Sequence, residues 1–181
     1  MFRSIGRPVF VKGYDIHPAM KHLSGGKNVS FHYADFTHTE PSDKADLVIM
    51  FDVIEHVPGP LGFLRAVSER ARFVALHIPL DDSWLLGMRN LWKRNLLHPG
   101  HLLVLNVSSA INLLTFSGLR VEDYSLTPVF RAPFGTETRS QRLLNPIRRV
   151  LYRISPYVLQ RTLGGVSLMV LATNAYAFHR P

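Results

Sequence analysis

The feature that most constrains the fold is an apolar run that leads directly into charged residues. Residues 46–57 have the sequence DLVIMFDVIEHV, in which the apolar stretch 47–51 is followed by Asp52, Glu55 and His56. An uninterrupted apolar run of strand length is typical of a parallel strand that helices cover on both faces. In such sheets, ligands bind beyond the carboxyl ends of the strands. The segment therefore predicts a central strand whose carboxyl end carries a functional site.

Strands and helices alternate along the rest of the chain. β-Branched and aromatic runs predict strands at residues 8–14, 29–33, 73–78 and 119–126, and VSLMVLAT predicts a closing strand after Gly164 and Gly165. Helical spacing predicts helices at residues 18–23, after Pro60 and at 107–116, whereas residues 79–106 are predicted to be irregular. This alternation predicts an α/β fold with a mostly parallel sheet and helices on both faces.

The length of 181 residues suits a single domain, which we predict over residues 1–181. The chain has no cysteine, so disulfides and thiolate metal ligands are excluded. Its apolar runs are far shorter than the roughly 18 residues that a membrane-spanning helix requires. The start, MFRSIGRPVF, lacks the apolar core of a secretory signal. We therefore expect a cytoplasmic protein; the sequence carries no signal for an oligomeric state.

Positive charge is concentrated in the second half of the chain. Residues 1–78 contain nine Lys and Arg against eight Asp and Glu, and residues 79–181 contain twelve against five. A basic helical insertion is predicted at about 131–163, before the last strand, with arginines from Arg139 to Arg161 interleaved with apolar residues. This pattern indicates either an amphipathic helix at an anionic membrane or protein partner, or a solvated helix face. Without an aromatic-rich basic motif, nucleic acid is not an expected partner.

Two acidic residues follow the first two predicted strands. Asp15 comes directly after a strand, where a carboxylate can accept hydrogen bonds from both hydroxyls of a ribose. The alternative is that Asp15 caps the helix predicted near Pro18. Asp35 follows the next strand and could accept from an adenine amino group while Phe36 packs nearby, although aspartate is also common in loops.

The order of these segments resembles a known family. Asp15 after one strand, Asp35-Phe36 after the next and DVIEHV after the third resemble the successive cofactor-contacting segments of class I S-adenosylmethionine-dependent methyltransferases. HPGHLLVLNVSSAINLLTFSGLRVEDYSL and GGVSLMVLAT are similar to later segments of that family. The resemblance covers residues 8–173, and residues 127–163 match least well.

The resemblance implies a Rossmann-like methyltransferase fold and methyl transfer from S-adenosylmethionine (SAM) to a small-molecule acceptor. It assigns the cofactor to the first three strand ends and the acceptor to the residues that follow. The implied cofactor-binding residues are Asp15, Ile16, Asp35, Phe36, Phe51 and Asp52, the implied catalytic residues are Glu55 and His56, and the implied substrate-side residue is His101.

Each of the acceptor-side residues also has a plainer interpretation. His56 is either a general base or a helix-entry residue bonded to a loop, and Glu55 could be a first-turn charge favoured by the helix dipole. His101 could belong to an ordinary loop. His98 and His101 form an H-x-x-H pair, but no further acidic or cysteine cluster accompanies it in the sequence, so we predict no metal site.

The glycine-rich cofactor turn of the family has no counterpart at the expected place. That turn precedes the ribose-binding acid by about 20 residues, whereas only fourteen residues precede Asp15. Gly25-Gly26 comes after the acid and cannot replace it. We therefore expect the first strand and first helix of the family to be lacking, and SAM affinity to be weak.

Three functions remain open at this point. The first is a methyltransferase, and the second is a binding or scaffold protein that keeps the fold without catalysis. The third is a dinucleotide oxidoreductase, since Asp15 would serve NAD equally well. The Asp35-Phe36 and DVIEHV segments argue against this third function.

Overall fold

The computed structural model describes residues 8–39, 44–132 and 139–175. The chain forms two compact units, residues 1–43 and residues 44–181. The alternation of strands and helices that the sequence predicts is present in both units. The single domain expected over residues 1–181 stays a prediction.

The first unit contains a two-stranded parallel sheet. Strand β1 (Val11–Asp15) pairs in parallel with β2 (Val29–Tyr33), and the 3₁₀ helix Pro18–His22 connects them. A side chain at Gly13 would place its Cβ 2.8 Å from the Phe31 ring, so the close approach of the two strands there requires glycine. The carboxyl ends of both strands therefore lie at the same edge.

The second unit contains a four-stranded sheet in the order β3-β4-β6-β5. Its strands are β3 (Ala45–Phe51), β4 (Ala71–Pro79), β5 (Leu119–Thr127) and β6 (Ser167–Asn174). β3 and β4 are parallel, but β6 runs antiparallel to both of its neighbours. Among the described strands of this sheet, β3, β4 and β5 run in one direction and β6 alone is reversed, so the mostly parallel sheet that the sequence predicts is confirmed. The apolar run of β6 does not encode its direction.

Six α-helices lie in the described part of the second unit: α1 (Pro60–Arg70), α2 (Trp84–Met88), α3 (Leu91–Leu97), α4 (Val107–Phe116), α5 (Arg139–Ile154) and α6 (Pro156–Thr162). The helix predicted at 107–116 is confirmed, and Asn106 and Ser109 form a capping box at its start. The expectation that residues 79–106 are irregular is wrong, because α2 and α3 lie there. None of the described helices combines the length and apolarity that a bilayer-spanning segment requires.

The core of the second unit lies between the sheet and helices α1 and α4. Leu64 and Leu114 of these helices are fully buried, as are Val74 and Leu76 of β4. Successive strand residues point to opposite faces, and Leu47, Ile49 and Phe51 of β3 are exposed. The sheet therefore has one face sealed by helices and one face that stays accessible at β3.

Truncation of a core leucine in α1 should destabilise this unit. Leu64→Ala should lower the free energy of unfolding by about 2 to 5 kcal/mol, because it removes buried surface and leaves a cavity. Leu61→Ala, in the same helix at a residue 41% exposed, is the matched control and should cost under about 1 kcal/mol. Urea unfolding followed by circular dichroism measures both, and equal losses would contradict this core.

Candidate functional site

Asp15 lies at the carboxyl end of β1 with its carboxylate near the chain that follows. Its Oδ1 accepts a hydrogen bond from His17 N at 2.8 Å. The N-cap of the following 3₁₀ helix is His17, whose Nδ1 accepts from Ala19 N at 3.2 Å. Asp15 is therefore not the cap. The carboxylate stays exposed beside Ile16, which is 71% exposed.

Asp35 caps the second short helix of this unit, Phe36–His38. Its Oδ1 accepts from Thr37 N at 2.8 Å and from Thr37 Oγ1 at 2.7 Å, and His38 Nδ1 donates to Oδ2 at 3.1 Å. Partial burial alone would raise the pKa of Asp35. The bonds from Thr37 and His38 outweigh it and hold the pKa below its usual value.

The first unit brings three predicted cofactor residues to one edge. Asp15 pairs with Tyr33 in the strand register, and Ala34 N donates to Asp15 O at 3.1 Å. Phe36 lies against Tyr14, with ring centroids 5.3 Å apart. Asp15, Asp35 and Phe36 therefore lie at the same end of a parallel pair, as the strand pattern predicts.

Asp52, directly after β3, has a backbone conformation that aspartate rarely adopts. Its φ of 54° lies in the left-handed region. His77 of β4 fixes this residue, because its Nδ1 donates to Asp52 Oδ1 at 2.7 Å while Asp52 N donates to His77 O at 3.0 Å. The His77 ring also meets Phe51 edge-on at 5.9 Å, and its Nε2 lies 3.3 Å from Thr127 Oγ1. Strained residues that their surroundings hold in place are typical of functional sites.

Glu55 is buried without a partner for its carboxylate. Its exposed fraction is 1%, and within the described residues neither Oε1 nor Oε2 has a hydrogen bond. Burial raises the pKa of Glu55, and the charge of Asp52 acts in the same direction. The backbone of Glu55 is well anchored, because its carbonyl accepts from Leu102 N at 2.7 Å.

That backbone anchor brings His101 beside Glu55 and His56. His56 Nδ1 donates to Gly100 O at 3.0 Å, and His101 Nδ1 donates to Asp81 Oδ2 at 2.6 Å. The Nε2 atoms of His56 and His101 lie 3.8 and 3.9 Å from Glu55 Oε1. The three side chains that the sequence assigns to the acceptor side therefore form one cluster.

Two residues of this site were not predicted. His77 lies inside a strand, where the apolar pattern gave it no functional signal. Asp81 lies two residues after β4, and a carboxylate close to the end of a strand is the signal that could have found it. Asp81 is held in turn by Asn95, whose Nδ2 donates to its Oδ2 at 2.9 Å. His98, the other member of the H-x-x-H pair, is exposed and has no role in the cluster of Glu55, His56 and His101.

A cavity of about 510 Å³ lies beside Asp81. Its lining residues come from the ranges 81–95, 129–132 and 140–165. Arg148 is one of its lining residues and is buried, with Nη2 donating to Leu163 O at 2.9 Å and Nε left without a partner among the described residues. Burial lowers the pKa of Arg148 from its ordinary value. Arg89 and Arg94 line the same cavity, which is therefore basic.

The comparison with protein families identifies the class. The family model of the methyltransferase domain matches residues 2–124, more than half of the chain. The chain belongs to this methyltransferase domain family. A comparison with curated proteins found no match.

Solved structures of low sequence identity share the Rossmann-like methyltransferase fold. Magnesium protoporphyrin IX methyltransferase from Synechocystis PCC 6803, solved with bound SAH, has a TM-score of 0.50 at 19% identity, over 90% of this chain and 63% of its own. A SAM-dependent methyltransferase from Archaeoglobus fulgidus has a TM-score of 0.54 at 16% identity, over 89% and 74%. A pericyclic reaction enzyme has a TM-score of 0.57 at 10% identity, over 93% and 37%. The chain thus spans less than two thirds of the first and third of these proteins, and the likeness shows the fold alone.

The bonds to Asp35 make a prediction about pH. Because the folded pKa is lowered, the stabilisation that Asp35 contributes is present above its unfolded pKa and is lost as the pH falls through the folded pKa. Thr37→Val removes the hydroxyl donor and should raise the pKa of Asp35, which NMR titration of the carboxyl carbon measures. Thr39→Val, which removes a hydroxyl bonded to Phe36 O, is the control and should leave that pKa unchanged. An unchanged pKa in Thr37→Val would contradict the assignment.

Proposed function

We propose that the chain transfers a methyl group from SAM to a small acceptor with an anionic group. The single observation that carries this proposal is the family match over residues 2–124, a range that contains every predicted cofactor and acceptor residue. The SAM and SAH named for the Archaeoglobus and Synechocystis neighbours support the choice of cofactor.

The cofactor supplies an electrophilic methyl group on a sulfonium centre, and the residues of the chain position it. The exposed carboxylate of Asp15 suits the two hydroxyls of a ribose, because only its Oδ1 takes part in a bond within the described chain. Phe36, which lies at the same end of the parallel pair as Asp15, offers apolar surface to an adenine ring. Asp35 can still accept an amino group, since each carboxylate oxygen accepts more than one hydrogen bond.

The acceptor side would be formed by the cluster of Glu55, His56 and His101 and by the basic cavity beside it. A volume of about 510 Å³ is in the range of small-molecule sites. Arg148, with its unpartnered Nε, would bind a carboxylate or phosphate of the acceptor. In the transfer, the acceptor atom forms a bond to the methyl carbon, the carbon–sulfur bond breaks, and the acceptor proton leaves to a base. His56 is a candidate for that base, because Gly100 O accepts its Nδ1–H and Nε2 is then the atom with the lone pair in the neutral ring.

A protein of this fold without methyl transfer is the second candidate function. The pericyclic reaction enzyme among the structural neighbours supports it, since the same fold can carry other activities. Cofactor binding without turnover of any acceptor would favour this second function.

Cofactor binding is tested by calorimetric titration of SAM and SAH. We expect measurable binding that Asp15→Asn weakens about tenfold or more, because a charged acceptor of ribose hydroxyls is lost. Asp46→Asn, at the opposite end of β3 from Asp52, is the control and should bind as the unchanged chain does. Absence of SAM binding, or equal affinities in the two variants, would refute the cofactor assignment.

Helix α5 provides a further contact, which we propose to be with an anionic lipid surface. Leu143, Ile147, Val150 and Ile154 form an exposed apolar stripe at the spacing of one helix face. The exposed Arg142, Arg149 and Arg153 lie on the adjacent face, and residues 139–162 contain no acidic residue. An apolar stripe beside a basic one is the pattern of a helix that lies in the interface of an anionic bilayer.

Vesicle sedimentation tests this contact. The chain should bind vesicles of phosphatidylcholine with phosphatidylserine and not vesicles of phosphatidylcholine alone. Replacing Arg149 and Arg153 together by Gln should weaken binding about 10- to 30-fold. Replacing the exposed Arg65 and Arg72 by Gln removes the same charge and should have a much smaller effect. Equal losses, or binding that ignores lipid charge, would contradict the role of α5.

A further inference from the structure

We propose that Glu55, His56 and His101 bind one divalent transition-metal cation. The geometry of these side chains is the evidence for the cation site. The use of the cation in methyl transfer rests on the proposed function. The interpretation of His98 and His101 as a pair is replaced here, because His101 shares its site with residues 45 and 46 positions earlier in the chain.

The three ligand atoms already converge. One atom from each of Glu55, His56 and His101 lies within 4.8 Å of the others. Bonds of about 2.0 to 2.2 Å to a common cation join atoms up to about 4 Å apart. The separations of 3.8 and 3.9 Å between Glu55 Oε1 and the two Nε2 atoms lie within that limit, and a tetrahedral ion would shorten them by roughly a few tenths of an ångström. They are too long for hydrogen bonds, and an ion pair at this distance requires a protonated imidazole.

The outer bonds of both histidines suit metal ligands. A metal-binding histidine usually donates its other ring N–H to a carboxylate or a backbone carbonyl, which fixes the tautomer and the ring orientation. Asp81 Oδ2 accepts from His101 Nδ1, and Gly100 O accepts from His56 Nδ1. Because Nδ1 carries the proton in these bonds, Nε2 is the atom with the lone pair in the neutral form of each ring, and both Nε2 atoms lie near the same carboxylate oxygen.

The charges around the cluster favour a cation. The carboxylate of Glu55 is buried and unpartnered within the described chain, and Asp52 and Asp81 add further negative charge nearby. A buried charge is costly unless it is paired or coordinates a metal. The rings of His56 and His101 also meet edge-on at 5.1 Å. Ring packing explains that contact but leaves the buried Glu55 carboxyl without a hydrogen bond among the described residues.

The ligand set indicates the kind of cation and its use. Imidazole with carboxylate suits Zn²⁺, Co²⁺, Fe²⁺ or Mn²⁺, whereas Mg²⁺ and Ca²⁺ prefer oxygen ligands alone. Three protein ligands leave coordination positions open, and the His56 side chain is 38% exposed on the accessible side. An acceptor oxygen could occupy an open position. In that case His56 acts as a ligand and not as the base, since a single Nε2 cannot do both.

Metal binding is tested on the full chain after chelator treatment, without cofactor or acceptor. Titration with Zn²⁺ by calorimetry and with Co²⁺ by visible absorption should give one site per chain. His56→Gln and His101→Gln should each weaken binding at least tenfold, and Asp81→Asn by about 10- to 100-fold. His98→Gln is the matched control, because it changes the other histidine of the H-x-x-H pair, and should bind as the unchanged chain does.

Thermal unfolding separates a lost ligand from a damaged fold. With chelator present, the variants should unfold near the temperature of the unchanged chain, and Zn²⁺ should raise that temperature only in the unchanged chain and in His98→Gln. His56→Gln alone decides the matter if His101→Gln does not fold, because His56 is exposed. Absence of one-to-one binding, or equal losses in His98→Gln and His56→Gln, would overturn the site. SAM titration is an independent test. Absence of SAM binding would refute the proposed function without contradicting the metal site.

Discussion

The buried carboxylate of Glu55 is the constraint on which the acceptor side of the site depends. The residue enters the core because the apolar strand β3 ends at Phe51 and the chain turns at once, through the left-handed backbone of Asp52, into a short helix. Its carbonyl then accepts Leu102 N, which brings the loop of His101 to the same place. Leu103 N also donates to this carbonyl, at 3.3 Å, so one backbone oxygen joins two segments that are 47 residues apart in the sequence. A buried carboxyl without a hydrogen bond among the described residues lowers stability, and the proposed cation would offset that cost.

The sequence predicts those site residues whose position follows from the end of a strand. An apolar run followed by a carboxylate places that carboxylate at the edge of a sheet, and Asp15, Asp35 and Asp52 each lie at the end of a strand or within two residues of it. The pairing of His101 with Glu55 and His56 depends on which loop folds onto which strand end, and one chain read alone does not contain that information. The same reason explains why His98, three residues away, looked like its partner.

The errors in the fold have physical causes of the same kind. Helices α2 and α3 have five and seven residues, too few for a helical period to stand out, and a glycine lies inside α2. The direction of β6 was not encoded, since VSLMVLAT would be buried equally well in either direction. The strand enters between β4 and β5 after the long helical segment, and Tyr152 of that segment donates to Leu126 O at the end of β5. Tertiary contacts therefore determine the direction of β6, which the local sequence pattern does not specify.

The family match covers only part of the chain. The proposed reacting residues lie inside it, and part of the proposed acceptor site lies beyond it. Every residue of the Glu55, His56 and His101 cluster lies within the family match, which ends at residue 124. The cavity beside Asp81 takes one wall from residues 81–95, inside the match, and the other from residues 129–132 and 140–165, beyond it. The buried Arg148 belongs to the second wall. On the proposed function, the groups that would act on the reacting atoms lie within the family match, while the wall that would select the acceptor comes from the segment that resembles the family least. A fold can change its substrate by such an exchange without disturbing the strand ends that hold its chemistry.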